Sequence, residues 1–561
     1  MSKIVTLAKQ QIEDIIYSAA KKAITEGVFP EVELNAFKIE MPQNRDHGDY
    51  AVNAAMVWSK ALRNNPRKIA EALTERFDFS ESYIKCCEIA GPGFINFFLA
   101  DRYYSDIVAD VLDKKEDYGK SDFGLGKKVL VEFVSANPTG PMHIGNARGG
   151  ALGDCLASVL ETAGYYVERE FYINDAGNQI NKFGLSLDMR YQQIYKDGVE
   201  MSEDSYHGAD IIAHAEAFSK LHGDKFMNET EEVRRKALVE FALPKNIQGL
   251  HDDLLKYRIE YNTWFKESSL HQNGEAMKIV ELLKESGHTY CQEDALWFKG
   301  SDFGSEDFVL VRSNGVPTYV VPDIAYHYNK LVTRGFDKAI DILGADHHGY
   351  VPRLKAALTA LGVDASKLDV ILMQMVRLVK DGEVIKASKR SGKAITLVTL
   401  LEEVPIDAAR FFFNLREPNS HFDFDLDLAV EETNQNPVYY VQYACARISS
   451  IMRNLAAEGI SLRDCTAEEL ALLTAPEERE LISHISEFTD EVVASAKAYD
   501  PAKMTHYVVE LATKFHKFYN ACRVKGEEES LLQARLSLCL ATVTVIKNVL
   551  AMLKITAPES M

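Results

Sequence analysis

The spacing of apolar positions changes along this chain and predicts three parts. In the first part, 1–115, apolar residues at helical spacing in "IVTLAKQQIEDIIYSAA" predict an amphipathic helix. The apolar runs "AFKIEMP" and "GPGFINFFLA" follow it, so this part is predicted to be an α+β domain. The charged stretch from Asp113 to Lys128 is interpreted as a linker to the next part.

The second part, 120–433, alternates short β-branched runs with helical patterns, which predicts an α/β domain built on a parallel sheet. A helical and strongly charged stretch over about 189–299 interrupts this alternation and is interpreted as an insertion. The alternation is expected to resume with "FVLVRS", "KAIDILGAD" and "DVILMQMVRLV". In the third part, 434–561, apolar positions step by three and four, which predicts an all-α helical bundle.

Composition and charge narrow the class of protein. The formal charge of −20 comes from 63 basic and 83 acidic residues and argues against a generic polyanion binder, although a local basic surface remains compatible with nucleic acid. None of the eight cysteines forms a CxxC pair, so free thiols and no structural zinc are expected. The sequence has no apolar run of about 18 residues, and Glu13 and Asp14 do not fit an import sequence. A cytoplasmic protein with no membrane partner is expected.

A loop rich in glycine and proline follows the first strand of the second part. The run "VLVEFVS" predicts a buried strand, "ANPTGPMHIGN" predicts a loop, and a helical pattern starts near Ala147. Backbone N–H groups at such a helix start favour an anion, and Gly140 and Gly145 permit close backbone approach. His143 can donate a hydrogen bond to a phosphoryl oxygen as negative charge builds there. The alternative is a simple connection with an exposed histidine.

A second cluster of candidate residues lies in "GEVIKASKRSGKAITL", where Lys386, Lys389, Arg390 and Lys393 fall within a short stretch. A cationic loop of this kind can close on a triphosphate and stabilise a leaving pyrophosphate. The alternative is a solvated basic turn, but the presence of the first loop favours a function for both. Neither stretch matches GxxxxGK[ST] and GxGxxG is absent, so a P-loop or dinucleotide site is unsupported.

These motifs resemble those of a known enzyme family. "PMHIGN" resembles the HIGH signature and "KASKR" the KMSKS loop of class I aminoacyl-tRNA synthetases. In order along the chain, "VEFVSANPTGPMHIGNARGG", "YINDAGNQI", "PTYVVPDIAYH", "GADHHGYVPRLKAAL", "SHFDFDLDLA" and "YYVQYACAR" are similar to bacterial arginyl-tRNA synthetases, and "HGDYAVNAAM" resembles their extra N-terminal domain. Two positions depart from the signatures, with Asn146 in place of the second histidine and Ala387 in place of methionine.

The resemblance implies a fold and a reaction. It implies a Rossmann-like catalytic core over 120–433, a tRNA-contacting domain over 1–115 and an anticodon-binding bundle over 434–561. It implies that L-arginine attacks ATP, bound with Mg²⁺, and that the arginyl group then passes to the 3′-terminal adenosine of tRNA(Arg). A monomer is the family default, and arginine activation can itself require bound tRNA.

The resemblance also assigns an arginine pocket. A guanidinium presents a planar fork of donors, so its selection over lysine needs carboxylates placed for bidentate acceptance. By resemblance, Glu132 and Asp323 supply these carboxylates, and Tyr319 adds a hydroxyl group and a ring face. Asn137 is expected to hold the α-amino or carboxylate group of arginine, and His347 to touch the reacting groups.

The nucleotide site is implied in the same way. His143, Lys386 and Lys389 are expected to be catalytic. The residues expected to bind ATP are His143, Gly145, Asn146, Gly344, Asp346, Lys386, Ser388 and Lys389. The HIGH region comprises Ala136, Asn137, Pro138, Thr139, Gly140, Pro141, Met142, His143, Ile144, Gly145 and Asn146. The adjacent Asp346, His347 and His348 also fit a metal site, but the sequence suggests no third ligand, so no resident metal is expected.

Three other functions fit parts of the pattern. A synthetase for another amino acid would share both loops, but Glu132, Tyr319 and Asp323 argue against an apolar substrate. A catalytically silent tRNA-binding relative would not need to keep His143 and Lys386. A general nucleotidyltransferase would share the first loop without needing the C-terminal helical bundle.

Overall fold

The computed structural model describes residues 2–42, 44–202, 205–385 and 395–561. The N-terminal domain is a four-stranded antiparallel sheet in the order β1-β2-β4-β3, packed with four helices. Its elements are α1 (Lys3–Thr25), β1 (Ile39–Glu40), β2 (Tyr50–Val52), α2 (Ala54–Trp58), α3 (Pro66–Thr74), β3 (Ile84–Ala90), β4 (Phe94–Leu99) and α4 (Asp101–Lys114). The predicted amphipathic helix is α1, whose apolar face, including Ile12 and Ala19, is fully buried. The α+β prediction for this part is confirmed.

The charged segment Asp113–Lys128 is more closely packed than the predicted linker. Tyr118 is buried and its hydroxyl group donates to the carbonyl oxygen of Ile485 at 3.1 Å. The amide of Asn548 donates to the carbonyl oxygens of Lys115 and Tyr118. The charge pattern suggested a solvated tether, but one aromatic ring and two satisfied carbonyl groups fix this segment against the C-terminal helices.

The central domain is built on a five-stranded parallel sheet in the order β12-β11-β5-β6-β7. This order places the first strand, β5, in the middle, with crossover helices between the strands. Its elements are β5 (Lys128–Glu132), α5 (Ile144–Thr162), β6 (Tyr166–Ile173), α6 (Gly177–Tyr195), α7 (Ala209–His222), α8 (Glu231–Lys256), β7 (Thr263–Lys266), α9 (Glu267–Gln272), α10 (Glu275–Glu285), β8 (Thr289–Gln292), β9 (Ala295–Phe298), β10 (Phe308–Val311), α11 (Val320–Tyr328), β11 (Lys338–Gly344), α12 (Val351–Ala360), β12 (Leu368–Met373), β13 (Val376–Lys380), β14 (Glu383–Val384), α13 (Leu397–Glu403), α14 (Ile406–Phe413), β15 (Phe422–Asp425) and α15 (Leu426–Val430). The prediction of a parallel α/β core is confirmed.

Two details of the sequence interpretation are wrong within this domain. The stretch 189–299 was interpreted as a helical insertion, but it also contains β7, β8 and β9, and β7 forms the edge of the parallel sheet beside β6. The run "FVLVRS" was expected to continue the parallel alternation, but it forms β10 in a separate antiparallel sheet with β9 and β8. The strands β7 and β10 have four residues each. Apolar periodicity cannot reveal strands this short, and it cannot show which sheet they join.

The C-terminal part is helical, as predicted. Its helices are α16 (Pro437–Ala457), α17 (Ala467–Leu470), α18 (Pro476–Ala498), α19 (Ala502–Ala521) and α20 (Glu529–Met552). By length and composition α20 alone among the described helices could cross a membrane, yet 72% of its apolar window is buried inside the protein. It is the central helix of the bundle, and its apolar surface is covered by α4 and α16–α19.

A buried arginine joins the central domain to the end of the bundle. Arg410 of α14 is 0% exposed, and its Nη2 donates to Asp154 Oδ2 of α5 at 2.5 Å. Its Nε donates to the carbonyl oxygen of Leu553, just after α20, and its Nη1 to that of Tyr257. Arg169 of β6 donates to the second oxygen of Asp154 at 3.0 Å. One carboxylate and one guanidinium thus join five chain segments.

Replacement of Arg410 tests this junction. Arg410→Met leaves Asp154 buried with one cation fewer and two carbonyl groups without a donor, so the free energy of unfolding should fall by about 3–5 kcal/mol. Denaturant unfolding of both proteins measures the change. The matched control is Arg377→Met, which breaks an exposed ion pair with Asp423 and should cost less than about 1 kcal/mol. Equal losses in the two variants would contradict the assigned role of Arg410.

Candidate active site

The chain turns sharply where the central strand β5 ends. Val134 and Ser135 have positive φ angles of 70° and 39°, which are unusual for residues with a branched or polar side chain. The hydroxyl group of Ser135 donates to Glu132 Oε1 at 2.8 Å and accepts from the backbone N–H of Tyr172 at 3.1 Å. The turn therefore holds Glu132 in place, and the exposed Asn137 follows it. Backbone strain of this kind clusters at functional sites.

The loop from Ala136 to Asn146 ends in a capped helix start. His143 is the N-cap of α5, and its Nδ1 accepts from the backbone N–H of Gly145 at 3.1 Å. Asn146 Oδ1 accepts from the backbone N–H of His143, also at 3.1 Å, which completes a capping box. Because Nδ1 is an acceptor, the proton of the neutral imidazole lies on Nε2, which is then a donor. The asparagine in the second signature position thus has a capping role.

Gly145 makes room for the imidazole ring. A Cβ atom at Gly145 would lie 2.9 Å from His143 Cε1, so any larger residue would displace the ring. The loop is also supported from the insertion, because Asn246 of α8 donates to the carbonyl oxygen of Pro138 at 3.0 Å. His214 of α7 contacts Asn246 Oδ1 in turn at 2.7 Å. Helices α7 and α8 of the insertion therefore support the loop from Ala136 to Asn146.

The second loop lies partly outside the described residues, which include neither Lys386 nor Ser388 nor Lys389. The residues on each side of it are described. Ile385 donates its backbone N–H to the carbonyl oxygen of Leu378 in β13. On the other side, Thr396 pairs with His143 in an isolated β-bridge, and Leu397 donates to the carbonyl oxygen of Met142 at 2.9 Å. The described residues that precede this segment therefore pair with β13, and those that follow it pair with the first loop.

The residues predicted to face the adenosine lie at the carboxyl end of β11. Gly344 ends that strand, and a Cβ atom there would lie 2.5 Å from Asp346 Oδ1, so a larger residue would displace the exposed Asp346 side chain from this position. Asp346 also lines an open cavity of about 680 Å³ together with Tyr319 and Tyr350. His347 is half-exposed beside Asp346. Among the described residues, no three His, Cys, Asp or Glu side chains form a group that could hold a metal ion.

Asp323 of α11 is a partly buried carboxylate that lies beside a pair of stacked tyrosines. The hydroxyl group of Tyr350 donates to Asp323 Oδ2 at 2.6 Å, and the ring of Tyr350 stacks on that of Tyr319 with centroids 5.9 Å apart. Tyr319 is 66% exposed, so its ring forms the outer wall. The structure therefore brings two of the predicted arginine ligands, Tyr319 and Asp323, to the same tyrosine.

A second carboxylate lies close to Asp323. Glu267 begins α9 directly after the edge strand β7, and its Oε2 accepts from the hydroxyl group of Tyr172 at 3.0 Å. Burial raises the pKa of the Tyr172 hydroxyl, and the negative charges of Asp323 and Glu267 add to that shift. The Glu267 carboxylate also contributes to a raised pKa at Asp323. The Tyr172 hydroxyl and the mutual electrostatic influence therefore place the two carboxylates near each other.

Three neighbouring strands place a carboxylate at the same level of the sheet. Glu132 of β5 is the register partner of Asp341 on β11 and of Glu170 on β6. Lys330, fully buried in a π-helical turn after α11, places Nζ 2.5 Å from Glu132 Oε2 and 2.8 Å from Asp341 Oδ1. Arg334 lies 2.6 Å from Glu170 Oε2. We refer to Asp341, Glu132 and Glu170 as the carboxylate row.

The carboxylate row is neutralised by the protein itself. His327 of α11 contacts Asp341 Oδ2 through Nε2 at 2.6 Å and the carbonyl oxygen of Asp323 through Nδ1 at 2.7 Å. Both ring nitrogens face oxygen atoms, so the ring of His327 joins Asp341 to the backbone of Asp323. Burial opposes ionisation of Asp341, but Lys330 and His327 outweigh it and hold the pKa of that carboxyl below its usual range. Lys330, Arg334 and the ring of His327 therefore contact the three carboxylates of the row.

Asp323 lacks such compensation. None of the described Lys, Arg or His side chains forms a salt bridge with its carboxylate. Burial raises the pKa of Asp323 to about 6, although the hydrogen bond from Tyr350 and the nearby His327 oppose the shift. A buried carboxylate without a cation is costly for a folded protein. It marks the place where a positively charged ligand would bind most favourably.

Several residues of this pocket were not found from the sequence. Glu267 was missed because it lies in the stretch interpreted as a helical insertion, and the aromatic run "TWFK" before it was the available signal of a strand end. Tyr350 lies within the quoted "GADHHGYVPR" but was not singled out. His327 ends the quoted "PTYVVPDIAYH" but was not singled out, and Lys330 follows it by three residues; their partners lie on strands distant in sequence.

Three family models match the chain. The model described as "Arginyl tRNA synthetase N terminal domain" matches residues 10–99. The model described as "tRNA synthetases class I (R), catalytic domain" matches 107–433, and the "DALR anticodon binding domain" matches 441–561. The catalytic model thus includes the carboxylate row, Asp323 and both loops.

Relatives and solved structures agree with these matches. An arginine–tRNA ligase of Acetivibrio thermocellus is 52% identical over 564 residues and spans 100% of both chains. A putative arginyl-tRNA synthetase structure from Campylobacter jejuni is 33% identical, has a TM-score of 0.74, and covers 82% of this chain and 100% of its own. The arginyl-tRNA synthetase of Thermus thermophilus has the same TM-score at 23% identity, covers 99% and 100%, and bears on the fold alone.

The electrostatics of Asp323 predict a pH-dependent stability. Its pKa is raised in the folded protein from 3.8 to about 6, so ionised Asp323 opposes folding at neutral pH. Asp323→Asn should therefore raise the free energy of unfolding by up to about 3 kcal/mol at pH 7, without ligand. The gain should diminish as the pH falls through about 6 and vanish below about 4, where both states of the wild-type carboxyl are protonated.

Denaturant unfolding at a series of pH values measures this difference. The exposed Asp113 supplies the matched control, since Asp113→Asn removes an equal charge from the surface. A gain in stability for Asp323→Asn that is absent, or that does not change with pH, would contradict the uncompensated burial of Asp323.

Proposed function

The chain belongs to the class I arginyl-tRNA synthetase family and is an arginine–tRNA ligase, and from this premise we propose how its residues divide the reaction. In the first step, a carboxylate oxygen of L-arginine attacks the α-phosphorus of ATP. The bond from that phosphorus to pyrophosphate breaks and arginyl-adenylate forms. In the second step, a hydroxyl group of the 3′-terminal adenosine of tRNA(Arg) attacks the arginyl carbonyl carbon and AMP leaves.

The first loop and the start of α5 hold the phosphates of ATP. His143 donates from Nε2 to a phosphoryl oxygen, because its Nδ1 accepts from Gly145. The helix start adds backbone N–H groups and the positive end of the helix dipole. Lys386 and Lys389 stabilise the departing pyrophosphate and Ser388 binds the nucleotide. The pairing of Thr396 with His143 supports this proposal, because it joins the two loops.

The ribose and the reacting groups lie on the opposite side of the site. Asp346 accepts hydrogen bonds from the ribose hydroxyls, at a position that Gly344 keeps open. Asn137 holds the α-amino or carboxylate group of arginine, and His347 lies near the reacting groups. Asn146 acts chiefly through the capping box, which orients the backbone of His143. Mg²⁺ enters with the nucleotide as Mg·ATP.

The arginine side chain extends towards the tyrosine-lined pocket. Its guanidinium supplies the cation that Asp323 lacks, and this missing charge is the observation that carries the assignment. Glu267 accepts from a second edge of the guanidinium, and the ring of Tyr319 covers its face. Two carboxylates placed around a planar fork favour arginine over lysine, whose ammonium is a point charge.

Glu132, at the end of β5, contributes a third carboxylate to arginine binding. Each of its oxygens already accepts one hydrogen bond within the protein. Its Oε1 accepts from Ser135 and its Oε2 from Lys330. Each carboxylate oxygen has two lone pairs, so Glu132 retains acceptor capacity for an N–H group of arginine. Unlike the charge of Asp323, the charge of Glu132 is already paired with Lys330 before the substrate binds. Glu132 therefore serves more to orient the guanidinium than to attract it.

The C-terminal bundle offers an aromatic surface for the tRNA. Tyr439 and Tyr443 of α16 stack in parallel, and Arg447 lies over the rings of Tyr443 and Tyr519 at 4.8 and 4.9 Å. Burial, with the charge of Arg447, lowers the pKa of the adjacent His516 to about 4, so this histidine is neutral at physiological pH. Neighbouring aromatic faces with one arginine suit stacking of unpaired anticodon bases. The enzyme is proposed to act in the cytoplasm as a monomer.

Pyrophosphate exchange into ATP tests the function. The assay is run with each amino acid in turn, with and without total tRNA. Exchange is expected with arginine, and its dependence on added tRNA tests whether activation requires the tRNA. Glu267→Gln should raise the KM for arginine by about 10–100-fold, because a charged hydrogen bond is lost, and should leave the KM for ATP unchanged.

Glu281→Gln is the matched control, since Glu281 lies on the exposed surface of α10 and pairs there with Lys284. Exchange with a different amino acid would overturn the arginine pocket. Folded protein that binds tRNA but exchanges with no amino acid would indicate a catalytically silent relative.

A further inference from the structure

We propose that Lys330 is a positioning residue for arginine, because it fixes the Glu132 carboxylate relative to Asp323 through a buried chain of polar contacts. The inference rests on the proposed arginine pocket and extends it to a residue that does not touch the substrate. The chain runs from Glu132 to Lys330, then to Asp341, His327 and the backbone of Asp323.

The surroundings of Lys330 fix its ammonium group closely. The side chain is 0% exposed, with Nζ between Glu132 and Asp341 and 4.1 Å from the ring centroid of Tyr326. Burial opposes its charge, but the nearby carboxylates outweigh this effect and raise the pKa of Lys330. A π-helical turn, Asn329–Thr333, carries the residue, and such turns occur frequently at functional sites.

His327 connects this cation to the other end of the pocket. It lies three residues before Lys330 on the continuous helical segment, and it contacts both Asp341 and the carbonyl oxygen of Asp323. The carbonyl contact is one helical turn from its donor, so it fixes the first turn of α11, where Asp323 lies. Movement of Lys330 would therefore disturb both Glu132 and Asp323.

Charge compensation alone would not require this arrangement. Arg334 compensates Glu170 at the other end of the carboxylate row without any contact to Glu132. Lys330 contacts the one carboxylate of the row that is assigned to the substrate. The structure thus separates two roles within one row, with Arg334 stabilising the fold and Lys330 also orienting a substrate-binding group.

Lys330→Met is the direct test, assayed by arginine-dependent pyrophosphate exchange with tRNA present. The KM for arginine should rise at least about tenfold, because a charge-assisted bond to Glu132 is lost. The KM for ATP and kcat should stay within about threefold of the wild-type values. Glu170→Gln is the matched control and should lower the thermal midpoint without changing the KM for arginine.

A double variant keeps the test valid if Lys330→Met does not fold. Lys330→Met with Asp341→Asn removes one cation and one anion from the row, so the net charge of the row is unchanged and folding is expected. Glu132 still lacks its lysine contact, so the KM for arginine should remain raised. A double variant that does not fold, or that folds with an unchanged KM for arginine, overturns the proposal.

A parallel assay of Asp323→Asn separates this proposal from the pocket assignment. If Asp323→Asn leaves the KM for arginine unchanged, the arginine pocket itself is wrongly assigned. If Asp323→Asn raises that KM and the Lys330 variants do not, the pocket is retained and only the positioning role of Lys330 is overturned.

Discussion

The architecture of the active site depends on three carboxylates at one level of the parallel sheet. Asp341, Glu132 and Glu170 are register partners on adjacent strands, so their charges lie side by side on one face. Buried charges cost several kcal/mol each unless they are paired. Cations therefore have to cover this face, and Lys330 is brought there by α11 and the π-helical turn that follows it. The same helix carries Asp323, so the constraint that compensates the row also positions the pocket.

The contrast between compensated and uncompensated carboxylates explains how the site can be both stable and selective. The row has its own cations, and Arg410 similarly compensates Asp154 where the central domain meets the end of the helical bundle. Asp323, by contrast, has a raised pKa and no salt bridge with a described residue. In the absence of ligand, the ionised Asp323 lowers the stability of the fold, and a bound guanidinium removes this destabilisation. Functional sites commonly reduce stability in this way.

The sequence was sufficient for the layers of the fold and for motif-bound residues. The strand, glycine-rich loop and helix around His143 follow from local patterns, and Asp323 from its motif. The capping role of Asn146 and the strand before Glu267 could not be predicted in this way. Each depends on three-dimensional geometry, and the four or five residues involved are too few to show a pattern. Lys330 could not be predicted, because its partner Glu132 is 198 residues away in the chain. Contacts of this kind come from the sheet register, which periodicity does not specify.

The central claim is that the substrate supplies the cation that Asp323 lacks, and calorimetry of L-arginine binding tests it most directly. Titrations at pH 6 in buffers with different ionisation enthalpies count the protons exchanged on binding. Because the free pocket holds Asp323 with a pKa of about 6, binding of a guanidinium should release protons at that pH. The release should vanish near pH 8, and neutral citrulline should cause none. Arginine binding without proton release at pH 6 would contradict the account.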